Sequence, residues 1–142
     1  MPFVAEASLF IRASVEATFD KLADLPSWHL WMPRTFRPAR PGQEKLREGA
    51  RIPMHIAHLP LATPIAVYVV DRAKEITWGG GIPGVISARH RFLFEPEGDG
   101  TRVRSVETWE GPMEKVLAPV VKPLAERIGR DQLGALDRAV QS

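Results

Sequence analysis

A chain of 142 residues and 15.8 kDa has the length of one ordinary domain, enough to close a hydrophobic core and too little for two. Its 44% hydrophobic and 25% charged residues exclude disorder, collagen-like repeats and membrane embedding, and the absence of Cys excludes disulfides and thiolate metal sites. The net charge of +2 is scattered: the densest basic spots, Arg89 with Arg91 and Arg102 with Arg104, fall at alternate strand positions and read as a solvated sheet face, so no nucleic-acid partner is expected.

In chain order, Val4 to Arg12 alternates like a strand, with Ala5, Ala7, Leu9 and Ile11 on one face. Ser14 is placed to cap a helix in which Val15, Phe19 and Leu22 recur at helical spacing, and Pro26 ends it. The stretch from Pro26 to Pro33 is dense in Trp and bracketed by prolines, which predicts a short packed turn of helix. From Thr35 to Glu110 the signals are short β-type runs, with strands expected near residues 35–39, 50–59, 65–71, 75–80, 86–95 and 101–110. Pro53, Pro60 and Pro64 point to edges or bulges in the second and third of these. After Gly111, Val116, Val120 or Val121, Leu124, Ile128, Leu136 and Val140 repeat at helical intervals, giving one long amphipathic helix whose first half Pro119 and Pro123 should kink or separate. At about 1.5 Å per residue it would run roughly 40 Å, enough to cross a sheet.

An antiparallel sheet with one covered face must bury that face, and this chain offers mainly its terminal helix to do so. One helix cannot fill a wide curved sheet, so the large side chains expected on its concave side, among them Ile52, Met54, Ile56, Ile76, Trp78, His90, Phe92, Phe94, Val103 and Trp109, read either as packed core or as the lining of an apolar pocket. The pocket reading adds Trp28 and Trp31 from the Trp-rich turn, Glu107 from the last strand, and Val120 and Leu124 from the helix. The last two strands form a hairpin over residues 97–100. A turn at Asp99-Gly100 sets His90 opposite Trp109, and one at Gly98-Asp99 sets it opposite Glu107; both leave His90 and Glu107 on one face. A histidine and a carboxylate among aromatic rings can exchange protons as a catalytic acid/base pair, anchor a ligand's polar group, or simply bond to each other.

Four stretches of the chain resemble the START-like helix-grip superfamily (SRPBCC), polyketide cyclase/dehydrase-like branch. They are Val15 to Pro33, with its W-x-x-W-x-P at Trp28, Trp31 and Pro33; Glu75 to Trp78; Ala88 to Val103; and Glu107 to Pro112 before the Pro-punctuated helix. The resemblance spans most of the chain. It implies an α+β helix-grip fold over residues 1–142: a curved antiparallel sheet of six or seven strands wrapped around a long C-terminal helix, with two short helices after the first strand. It also implies a small hydrophobic ligand of lipid, polyketide or aromatic type. It carries no universal catalytic motif, so a cyclase or dehydratase using His90 and Glu107 stands beside a plain binder and beside an interaction module with a filled interior, a homodimer among its forms.

Other patterns are set aside. Gly79, Gly81 and Gly84 satisfy G-x-G-x-x-G, but a strand rather than a helix follows, so they are expected to bend the sheet rim or let a loop cover the pocket. His55 and His58 are three apart on a predicted strand and point to opposite faces, so no metal site is expected, and His29 reads as a packing residue. No cofactor is implied. No apolar run approaches the ~18 residues that span a bilayer, and Met1 to Arg12 lacks the features of an export signal, so the expected location is cytoplasmic with no integral membrane association.

Overall fold

The computed structural model describes residues 2–57 and 59–142. Seven antiparallel strands, β1 (Phe3–Ile11), β2 (Phe36–Pro38), β3 (Arg51–Ile56), β4 (Thr63–Asp71), β5 (Glu75–Ile82), β6 (Ile86–Glu97) and β7 (Gly100–Glu110), form one sheet in the order β1-β7-β6-β5-β4-β3-β2. Between β1 and β2 lie α1 (Val15–Ala23), a 3-10 turn at Leu25–Ser27 and α2 (Trp28–Trp31); α3 (Glu114–Gln141) closes the chain. This is the helix-grip arrangement, with α3 packed on β1, β7 and α1.

Local chemistry explains the joints. The Ser14 hydroxyl accepts from the Ala17 N–H and caps α1. Pro26 sits in the first turn of the 3-10 segment, where its missing N–H costs nothing. The β6–β7 hairpin turns over Gly98 and Asp99, and Gly98 at φ +55° supplies the left-handed residue the two-residue turn needs. At Gly81, φ +149°, an added Cβ would meet the Ile86 carbonyl oxygen, so glycine lets β5 and β6 close on each other. The three glycines of the G-x-G-x-x-G pattern thus lie in a β-hairpin, and no helix follows them.

The core fills the concave side. Trp28, Met32, Met54, Val67, Ile76, Trp78, Phe92, Phe94 and Val103 are buried there, joined by Phe19 and Leu22 of α1 and by Leu133 and Leu136 of α3. Trp28 holds this cluster to the helices through its Nε1–H, which donates to the Leu22 carbonyl at 2.9 Å. Its ring centroid lies 5.3 Å from that of Trp78, and Phe36 stacks on Trp78 at 5.5 Å.

The terminal helix settles two points of its sequence reading. Of the two alternatives for its first half, separation is overturned, because it runs as one helix through Pro119 and Pro123. Both prolines are exposed, as is Lys115, so the carbonyls of Lys115 and Pro119 that lose an N–H partner lie on the solvent side and can be hydrated. Its buried residues are also largely small or polar: Glu114, Ala125, Gly129, Gln132, Leu133, Ala135, Leu136 and Ala139. Val116, Val120 and Leu124 are exposed instead. Small side chains let the helix axis approach the sheet, and that fixes the rotation which turns the larger residues outward.

Candidate functional site

Strand register builds the site. Ala5, Glu107, His90, Trp78 and Val67 are consecutive cross-strand partners on β1, β7, β6, β5 and β4, forming one layer across the concave face. His90 and Glu107 face each other directly, which selects the Gly98-Asp99 turn of the two considered. The next layer toward the β6–β7 hairpin contains Ser105 opposite Phe92.

Four polar groups form a chain along these layers. The Trp109 Nε1–H donates to Glu107 Oε1 at 2.9 Å, Glu107 Oε2 lies 3.2 Å from His90 Nδ1, and His90 Nε2 lies 2.6 Å from Ser105 Oγ. An ionised carboxylate only accepts, so Nδ1 carries a proton and donates to Glu107; in the neutral ring Nε2 then accepts from the Ser105 hydroxyl. Phe92 stacks on the imidazole at 4.2 Å, and Trp78 meets it edge-on at 5.7 Å. Burial alone would raise the Glu107 pKa, but the charge and hydrogen bond of His90 and the Trp109 N–H outweigh it and hold the carboxyl below its usual range. Exposure falls along the chain: the Glu107 side chain keeps 17%, while His90 keeps 6% and Ser105 is buried.

Ser105 was missed by sequence reasoning, although it lies two residues before Glu107 on the same face and one position diagonal to His90. The helix seals it. Gly129 of α3 sits so close that an added Cβ would lie 3.1 Å from Ser105 Oγ. Gln132, one turn further along α3, is buried with neither amide atom hydrogen-bonded to a described residue.

The other residues named from sequence divide into three groups. Trp28, Met54, Trp78, Phe92 and Phe94 are buried and pack into the core, so the interior is closed at the level of Trp78. Trp31 and Ile56 are half-buried against that core, and the Trp31 Nε1–H is held by Ser27 Oγ at 2.9 Å. Val120 and Leu124 lie on the exposed side of α3, away from the sheet-facing residues, because the helix is rotated as described above. Toward the rim from the His90 layer the sheet presents Trp109, Ala88 and Gly80 in register, two of them small. Space beside Glu107 is therefore to be sought there. Of two surface hollows, one of about 680 Å³ runs along β6 to the β5–β6 tip and is lined by Gly80 and Ala88 together with Tyr68, Arg89, Arg91 and Glu110; the other, about 440 Å³, lies under residues 40–53 beside Leu25.

Among the described residues no cluster of three or more His, Asp or Glu side chains could hold a metal ion. His55 is exposed on β3 opposite Arg37, and His58 lies outside the described residues. No helix of the described residues is long and apolar enough to cross a membrane.

Solved structures share the fold across nearly the whole chain. The KanY protein is 16% identical with a TM-score of 0.76, covering 100% of this chain and 99% of that one. The hypothetical protein jhp0584 of Helicobacter pylori is 14% identical with a TM-score of 0.78 over 97% and 88% of the two chains. TTHA0849 of Thermus thermophilus is 19% identical with a TM-score of 0.72 over 98% and 97%. No curated protein matches the sequence. The family model described as polyketide cyclase / dehydrase and lipid transport matches residues 2–141, and with that match spanning the fold and the His90–Glu107 layer alike, the chain belongs to this family.

Proposed function

We propose that the protein binds a small, largely apolar molecule carrying a hydrogen-bond donor, such as a hydroxyl or phenol, with that donor on Glu107 at the rim end of the sheet. The observation that carries this reading is the graded exposure of the polar chain. Glu107 alone of the His90 layer's polar groups keeps appreciable access, and each of its oxygens receives one N–H, which leaves lone pairs for a ligand donor. Trp109 and the small Ala88 and Gly80 beside it offer an apolar platform of the kind that lines ligand sites.

Binding is favoured over acid/base catalysis. A carboxyl held below its usual range stays ionised at neutral pH and is a weak proton donor. The Nε2 of His90 is already taken by Ser105 in a buried position, out of reach of a substrate. A second reading, an interaction module with a filled interior, draws on the Trp28, Phe36, Trp78 and Phe92 packing.

The test is a thermal-shift and native mass spectrometry panel pairing phenolic polyketides and long-chain alcohols with their O-methyl ethers. The donor-bearing member of each pair should bind at least tenfold tighter, and E107Q should erase the difference. Equal binding of both members sinks the donor assignment, and no binder at all favours the filled module.

A further inference from the structure

The rim that leads to Glu107 is also where exposed apolar side chains gather. Register places the β3–β4 connection, the β5–β6 tip and the β7–α3 junction at the same end of the sheet. Thr63 pairs with Met54, Ile82 with Ile86 and Phe3 with Trp109, whereas the turns at 72–74 and 98–99 lie at the other end. Leu59 and Leu61 are exposed on the first connection and Ile82 on the second; Met113, Val116 and Val120 are exposed on the third and the helix it starts. Leu30, also exposed, stands on α2, which touches both β2 and α3.

Charge separates the candidate occupants. Across residues 28–35, 57–63, 82–86 and 110–124, the described residues that carry a full exposed charge are the basic Arg34, Lys115 and Lys122 and the acidic Glu110 at the end of β7. Glu114 is buried, so the exposed charge of the rim is net basic. A two-fold contact between copies centred on this rim would set two net positive surfaces against each other. A surface bearing many negative headgroups over an apolar layer matches both features.

We propose that this rim docks on the surface of an anionic lipid bilayer, with Leu59, Leu61, Ile82, Val116 and Val120 entering the headgroup layer and Arg34, Lys115 and Lys122 meeting the phosphates. The docking stands independently of the ligand reading. If both hold, the ligand site opens toward the bilayer and an apolar ligand passes between them without crossing water.

Co-sedimentation of the full chain with vesicles of equal parts phosphatidylglycerol and phosphatidylcholine, against phosphatidylcholine alone, tests it. Binding should favour the anionic vesicles and weaken as salt is raised. K115A/K122A should lower affinity about 25-fold, at roughly five-fold per basic residue. V116D/V120D, at exposed positions, should abolish binding while the unfolding midpoint stays unchanged. Absence of binding to anionic vesicles overturns the proposal, as does binding that both double variants leave intact. Analytical ultracentrifugation showing a dimer that V116D/V120D dissociates would overturn it in favour of a second copy.

Discussion

Gly129 of α3 lies directly over Ser105 of β7, close enough that an alanine Cβ would stand 3.1 Å from the serine oxygen. That oxygen is not free to yield, because it is held 2.6 Å from His90 Nε2. The contact locks the buried end of the polar chain to the helix.

The lock can be read as a coupling energy. Replacing a helical glycine by alanine ordinarily gains about 0.5–1 kcal/mol, and here the steric push on a fixed hydroxyl opposes it. G129A should be neutral to destabilising by about 1 kcal/mol in the presence of Ser105, and stabilising in S105A, where the clash is gone. A double-mutant cycle by urea unfolding measures this; additive effects would mean the helix stands further off than the geometry indicates.

Acid should expose the contribution of Glu107. Its folded pKa is depressed below the unfolded value of 4.5, so its stabilisation is fully present above that pH and is lost as pH falls through the folded value. E107Q removes this part of the pH dependence while also costing about 1–3 kcal/mol at neutral pH through the weakened bonds to His90 and Trp109. Glu75, depressed by Thr77 and then by Arg91, titrates in the same direction, so E107Q should flatten the acid limb only in part. Chemical unfolding from pH 7 down to the acid transition gives the comparison; an unchanged acid limb in E107Q would deny Glu107 its ionised role.

What the sequence disclosed follows the reach of its signals. Period-two alternation and turn residues are local, and they place all seven strands within a few residues; Pro53 and Pro64, which read as marks of irregularity, pair with each other where β3 meets β4. The His90–Glu107 pairing narrows to two registers from sequence, and the choice between them depends on which residues form the turn. Helix rotation is a different matter. Counting Val116, Val120 and Leu124 as the sheet-facing stripe weighs hydrophobicity, whereas the packed face is selected by size, with Ala125 and Gly129 allowing close approach. The depth of the interior is equally hidden, since whether Trp28 and Trp78 line a void or meet each other depends on a contact between residues far apart in the chain.

The Ser105–His90–Glu107 line-up has the connectivity of a nucleophile, base and orienting acid, and burial argues against that use. An acyl carbon would need to reach Ser105 Oγ where Gly129 already stands. The protein should therefore show no burst and no covalent adduct with p-nitrophenyl esters or fluorophosphonates, and S105A should match the parent within error. Intact-mass detection of an adduct that S105A abolishes would require α3 to lift away and would reopen the catalytic reading.

Gln132 offers a probe of the interior that does not depend on knowing the ligand. It shares the packed face of α3 with Gly129, one turn away, and both its amide atoms lack hydrogen-bond partners among the described residues while the residue is 3% exposed. A buried polar group without partners costs about 1–3 kcal/mol, so exchange for a Met of similar length should stabilise the protein by that order if nothing else uses the amide. A ligand or ordered water bonded to it reverses the sign. Q132M should then melt lower than the parent when the protein is purified with its ligand, and higher once the ligand is extracted. Calorimetry on both preparations distinguishes the cases, and an equal gain in each would show that the Gln132 amide serves no bound molecule.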